Sequence, residues 1–121
     1  MKGQGFLRRF GYARAGIVTA FRRERSMRTH GAAVIAVGIF LSLTGAPALW
    51  WALVGLAVGL VLVAEMANTA IETLADHLHP GQHPEIGVVK DVAAGAVLVA
   101  SVVAVIVGLA YLATLLPAMR A

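Results

Sequence analysis

The chain begins with one stretch in which apolar and basic residues alternate at helical spacing. Between residues 5 and 25 the large apolar residues Phe6, Leu7, Phe10, Ile17, Val18 and Phe21 recur at helical spacing among Arg8, Arg9, Arg14, Arg22 and Arg23. A helix with one apolar and one basic face lies in the membrane interface rather than across the bilayer. The pattern therefore predicts an amphipathic surface helix over residues 5–28.

Three longer apolar stretches follow the basic one. The first two are separated by Gly45-Ala46-Pro47, and Trp50 and Trp51 come directly afterwards. Helix-breaking residues beside tryptophans are typical of a membrane boundary. We predict transmembrane helices over residues 31–46, 48–76 and 90–116, with the second continuing into the cytoplasm, and one longer loop over residues 77–89.

Composition agrees with this pattern and limits the class of protein. Of the 121 residues, 60% are apolar and 13% are charged, which is too apolar for a soluble domain of this size. The absence of cysteine excludes disulfides, thiolate catalysis and Cys-ligated zinc. Residues 1–28 lack the apolar core and cleavage site of a secretory signal. We expect one all-α membrane domain over residues 1–121.

The charges indicate how the chain is oriented. Eight of the ten Lys and Arg residues precede Gly31, which favours a cytoplasmic N-terminus and argues against a nucleic-acid partner. The turn at 45–47 and the C-terminus are then outside, and the loop at 77–89 is inside. This topology brings every acid of the chain to the cytoplasmic half, namely Glu24, Glu65, Glu72, Asp76, Glu85 and Asp91.

The second predicted span carries a polar row, Glu65, Asn68, Glu72 and Asp76. Successive members are three, four and four residues apart, so they share one helix face. Ionisable groups near a membrane interior are costly and usually functional. A water-facing helix end would explain Asp76, but it does not explain Glu65, which follows an uninterrupted apolar run.

These residue types suit phosphoryl transfer to a lipid alcohol. Glu72 with Asp76 or Glu24 provides oxygen ligands for a hard divalent cation, of which Mg²⁺ is the natural candidate. Lys90 could contact phosphate oxygens, and Asn68 could orient a phosphate or a ligating carboxylate. Glu65 lies deepest in the membrane, where it could accept a proton from an alcohol. The arrangement is that of a kinase.

A histidine cluster in the loop invites a different interpretation. His77, His79 and His83 lie near Asp76, but their spacing matches neither a helical zinc pair nor a closed structural site. We interpret them as solvated loop residues. The chain also has no glycine-rich phosphate loop ending in Lys-Ser or Lys-Thr, and no protein-kinase signature. A kinase built from this sequence therefore needs its own membrane fold.

The motifs Glu65-Met-Ala-Asn-Thr-Ala-Ile-Glu72, Asp76 and Lys90-Asp91-Val-Ala-Ala-Gly-Ala-Val resemble those of the prokaryotic diacylglycerol kinase and undecaprenol kinase family. The resemblance covers nearly the whole chain. It implies a homotrimeric helical bundle, with a surface helix and three membrane helices per subunit and active sites shared between subunits. Such an enzyme uses MgATP to phosphorylate a lipid alcohol at the cytoplasmic face of the bacterial inner membrane.

The resemblance also implies roles for individual residues. Glu65 is the expected catalytic base, and Glu24 and Glu72 are the expected metal ligands at the ATP site. Further ATP-site candidates implied by the resemblance are Tyr12, Asn68, His83, Lys90 and Asp91, with Arg8 or Arg9 as the N-terminal arginine and Asp76 as an additional candidate.

The lipid substrate is suggested by the segment from Glu24 to His30. Its sequence, Glu-Arg-Ser-Met-Arg-Thr-His, resembles that of the undecaprenol kinase branch, except that Ser26 stands where Asn is usual. We therefore expect undecaprenol as substrate, with diacylglycerol as the alternative.

A small oligomeric transporter or proton channel is the competing class, with Glu65 and Glu72 lining its pathway. The uncharged outer half of the second and third spans argues against it. A non-catalytic membrane subunit would give no reason for six acids to converge on one side.

Overall fold

The computed structural model describes residue 3 and residues 5–117. These residues form four helices and no strand: α1 (Phe6–Arg23), α2 (Arg25–Leu43), α3 (Ala48–Leu78) and α4 (Pro84–Leu115). Helices α2, α3 and α4 are long and apolar enough to cross a membrane. The predicted all-α membrane fold, with one amphipathic surface helix and three membrane helices, is confirmed.

The surface helix is shorter than the predicted segment 5–28, because the chain bends at Glu24. Its backbone is extended there, with φ −106° and ψ 119°. The Arg28 guanidinium donates hydrogen bonds to the carbonyls of Phe21 at 3.0 Å and Arg22 at 2.8 Å, which satisfies the last turn of α1. Residues 25–28 belong to α2, where Met27 is fully buried. The first membrane helix thus begins at Arg25 rather than at residue 31.

The turn between α2 and α3 lies where the sequence places it. Gly45 has a positive φ of 66°, and the Ala46 N–H donates to the Leu41 carbonyl at 3.0 Å. Glycine adopts this backbone conformation without the strain that a side chain would cause. Pro47 then precedes the first residue of α3.

The loop between α3 and α4 is much shorter than the predicted 77–89. Helix α3 extends to Leu78, and α4 begins at Pro84 rather than at residue 90. His83 caps α4 because its Nδ1 accepts the Glu85 N–H at 3.1 Å, and proline is well suited to the first helical position. Lys90 and Asp91 therefore lie two turns inside a helix, which fixes their direction relative to α3.

Helix α3 is the central helix of the fold. It packs along α4 and also contacts α2 and α1. At the end near the 45–47 turn, Leu41, Val54 and Tyr111 form an apolar cluster, in which the Tyr111 ring lies 5.4 Å from the Trp50 ring. Phe40 of α2 lies edge-on to the Tyr111 ring of α4, with ring centroids 6.2 Å apart. An apolar groove of about 440 Å³ lies between these two helices over α3.

Candidate active site

Glu65 is the buried acid of α3. Its relative exposure is 8%, and it lies on the same face as the buried residues Val54, Ala57 and Val61. The apolar run that leads to Glu65 thus packs inwards and carries the carboxylate with it. A carboxylate so placed needs hydrogen-bond partners to offset its desolvation.

Helix α2 supplies those partners. The Ser26 hydroxyl donates to Glu65 Oε2 at 3.2 Å, and His30 Nε2 lies 3.1 Å from Glu65 Oε1. Ser26 and His30 are four residues apart and therefore project from the same face of α2. We call these three residues the Glu65 cluster.

The next turns of α3 place Asn68 beside Glu72. The Asn68 amide donates to Glu72 Oε1 at 3.5 Å, and its Oδ1 is buried without a hydrogen-bond partner among the described residues. Buried polar atoms are normally paired, so an oxygen left unpaired beside a carboxylate is a natural contact for a ligand. Asn68 and Glu72 together offer oxygen atoms that could bind a cation at one position.

Lys90 connects the polar row to α4. Its ammonium donates to the Asp76 carboxylate and also lies within electrostatic reach of Glu72. The ion pair is only partly buried, with side-chain exposures of 38% for Lys90 and 61% for Asp76. The more exposed end of the polar row thus has the positive charge of Lys90 near the negative charges of Asp76 and Glu72.

The other predicted site residues lie on α1, on α4 and at the bend between α1 and α2. Glu24 is half-buried at the bend between α1 and α2, and Asp91 is exposed on α4 beside Lys90. His83 caps α4, and its ring lies 5.1 Å from that of His79. Tyr12, Arg8 and Arg9 are exposed on α1, which itself contacts α2 and α3.

The oxygen ligands on this face are too few to hold a metal ion by themselves, but they suit Mg²⁺ bound together with phosphates. No group of three His, Asp or Glu side chains within the described ranges could hold an ion. Mg²⁺ is commonly bound by one or two carboxylates together with substrate phosphates and water. Glu72, with the unpaired Asn68 oxygen beside it, fits that mode, and the carboxylate of Glu24 is of the same type.

Two members of the Glu65 cluster, Ser26 and His30, were not predicted as site residues. The prediction placed Ser26 in the surface helix over residues 5–28 and left His30 between that helix and the first predicted span, which began at residue 31. A signal was nevertheless present, because His30 is a polar side chain at the start of an apolar run, as Glu65 is at the end of one. A polar side chain in an apolar membrane environment is energetically costly and usually functional, and this argument applies to both residues.

Several known proteins are similar in sequence to this chain. The family model described as prokaryotic diacylglycerol kinase matches residues 11–112. A diacylglycerol kinase of Synechocystis is 43% identical over 101 residues, which cover 82% of this chain but only 57% of that protein. An undecaprenol kinase of Bacillus subtilis is 38% identical, covering 86% of this chain and 85% of its own. A diacylglycerol kinase of Escherichia coli is 33% identical, covering 79% of each. The chain belongs to the prokaryotic diacylglycerol kinase family, a family of lipid kinases.

Proposed function

We propose that this protein transfers the γ-phosphate of ATP to the hydroxyl group of a membrane lipid, with Glu65 as the catalytic base. The observation that carries the proposal is the placement of the Glu65 carboxylate. It is buried at the end of an apolar helix face, and its partner His30 lines the apolar groove between α2 and α4. A lipid in this groove could bring its hydroxyl group to a carboxylate that is shielded from water.

The reaction follows from this placement. Glu65 accepts the proton of the lipid hydroxyl as the lipid oxygen bonds to the γ-phosphorus, and the bond from that phosphorus to the bridging oxygen breaks, releasing ADP. Lys90, freed from Asp76 or shared with it, donates hydrogen bonds to phosphate oxygens. The proton leaves Glu65 for water after the phosphorylated lipid departs.

The nucleotide occupies the wetter part of the same face in this proposal. Glu72 and Glu24 hold Mg²⁺, with Asn68 beside Glu72, and the ion supplies charge neutralisation on the phosphates. Tyr12, His83 and Asp91 contact the nucleotide, as does Arg8 or Arg9 from the surface helix. Support comes from the contacts that α1 and α4 make with α3 and from the chemistry of the residues.

We further propose that three copies associate and share active sites. Helix α3 leaves a second face open, lined by Trp51, Ala52, Gly55, Leu56, Gly59, Leu60 and Val63. Small residues four positions apart, such as Gly55 and Gly59, allow close approach of membrane helices. In the inner membrane of a bacterium, the basic N-terminus and the polar row then face the cytoplasm and the C-terminus lies outside.

The lipid substrate in this proposal is undecaprenol. Support comes from His30, which lies in the segment that resembles the undecaprenol kinase branch and which contacts Glu65 directly. The purified protein in micelles or liposomes, supplied with labelled MgATP, is expected to phosphorylate undecaprenol with a higher kcat/KM than diacylglycerol. The reverse preference would assign diacylglycerol as the substrate. Labelling of neither lipid would contradict the proposed function.

A bulky side chain in the groove should weaken lipid binding. Ala104 lines the groove on α4, whereas Ala110 is exposed on the same helix and does not line it. We expect Ala104→Phe to raise KM for the lipid about tenfold, with KM for MgATP unchanged, because the ring occupies space needed by the lipid chain. Ala110→Phe is the matched control. Equal effects of the two substitutions on KM would argue that the hydrocarbon chain of the lipid does not lie in this groove.

A further inference from the structure

We propose that His30 and Ser26 are positioning residues, which hold the Glu65 carboxylate in the orientation that receives the lipid hydroxyl. This inference rests on the proposed function, in which Glu65 is the base. The two residues lie on α2 and Glu65 lies on α3, so the contact between these helices sets the orientation of the carboxylate.

The contacts restrain both oxygens of the carboxylate. Ser26 Oγ reaches Oε2 and His30 Nε2 reaches Oε1, so rotation about the last side-chain bond would break both contacts. The Glu65 side chain is 10% exposed and that of His30 is 30% exposed. Ser26 is an exposed residue, so the His30 contact is the better shielded of the two and restrains the carboxylate more strongly.

The arrangement leaves the carboxylate able to act as a base. An ionised carboxylate only accepts hydrogen bonds, and each of its oxygens has two lone pairs. Ser26 and His30 use one lone pair on each oxygen, with the proton of the histidine contact on Nε2. A lone pair remains for the lipid hydroxyl. Glu65 is thus held without being blocked.

The position of His30 relates this restraint to the lipid. His30 lines the groove between α2 and α4, and the other lining residues near it on α2 are Ala33, Val34 and Val37. It is therefore a polar side chain at the border between an apolar groove and the base. A hydroxyl at the end of a lipid chain in that groove would arrive beside the Nε2 to Oε1 contact, where a small rotation of the carboxylate changes the distance over which the proton moves.

Substitutions that differ only in the hydrogen bond test the proposal. His30→Leu removes the donor, whereas His30→Gln keeps an amide donor on a side chain of similar reach. We expect His30→Leu to lower kcat about 10- to 100-fold with KM for MgATP within about twofold of wild type. His30→Gln should stay within about fivefold of wild type, and Ser26→Ala should lower kcat about three- to tenfold. Restoration by glutamine separates positioning from a general loss of packing.

A double-mutant cycle tests whether His30 acts through Glu65. Glu65→Asp retracts the carboxylate from both partners, so adding His30→Leu to it should lower kcat less than about threefold further. The same fold loss in both backgrounds, or a His30→Leu variant with wild-type kcat, would overturn the proposal.

Two further measurements keep the outcomes distinct. Circular dichroism and size-exclusion chromatography in detergent report whether each variant keeps its fold. If His30→Leu does not fold, His30→Gln and Ser26→Ala decide the question through kcat. A fully active Glu65→Gln variant would instead overturn the assignment of Glu65 as base, whatever the His30 variants do.

Discussion

Glu65→Gln is expected to lower kcat for phosphate transfer about 100- to 10,000-fold, the range typical of removing a general base. Glutamine has the shape of glutamate and can still accept a hydrogen bond from Ser26, but it cannot take the proton of the lipid hydroxyl. The fold should persist, because the buried side chain keeps its volume. The measurement is transfer of labelled phosphate from ATP to lipid, under saturating concentrations of both substrates.

Glu85→Gln is the matched control for this prediction. Glu85 is exposed in the first turn of α4, and the same change there removes a charge without touching the Glu65 cluster. Binding of MgATP to Glu65→Gln should be close to that of the wild type, since the proposed nucleotide contacts lie elsewhere. A Glu65→Gln variant that keeps more than about a tenth of the wild-type kcat would contradict the role of Glu65 as base.

The ion pair between Lys90 and Asp76 allows a second comparison. Lys90→Met and Asp76→Asn each break the pair, but only the first removes a group that could stabilise charge on the transferring phosphate. We expect Lys90→Met to lower kcat about 100- to 1000-fold, as for loss of one donor to a developing negative charge. Asp76→Asn should lower kcat less than about tenfold, because the ammonium remains.

The thermal stability of the two variants completes this test. Both should unfold at similar temperatures, because both lose the same partly exposed ion pair. Equal losses of kcat would mean that the pair serves to join α3 to α4 and that Lys90 has no separate role with phosphate. A larger loss for Asp76→Asn than for Lys90→Met would place the more important group on α3.

Much of the fold could be predicted from the sequence because a bilayer imposes strong rules. A span must be long, apolar and helical, so the three membrane helices follow from hydropathy alone. Basic residues among apolar ones at helical spacing likewise identify the surface helix. The ends of the helices were less predictable. The bend at Glu24 depends on Arg28 reaching back to α1, and the early start of α4 depends on the cap from His83.

The candidate site divides in the same way. The polar row of α3 is local, because residues three and four apart must share a helix face, and its cost in a membrane marks it as unusual. The family resemblance added Tyr12, His83 and Asp91 as ATP-site candidates. None of these arguments identifies which residue of another helix will meet Glu65, since that depends on how α2 lies against α3.

The sequence by itself thus determined which segments are helical, that three of them suit a membrane, and the chemistry of the polar face of α3. Only the tertiary structure decided that Ser26 and His30 hold the two oxygens of Glu65, and that Lys90 pairs with Asp76. It also decided that an apolar groove lies between α2 and α4 over α3, with His30 among its lining residues. The physical reason is that hydropathy and helical spacing act along the chain, whereas a contact between helices depends on their relative rotation and depth, which many side chains set together.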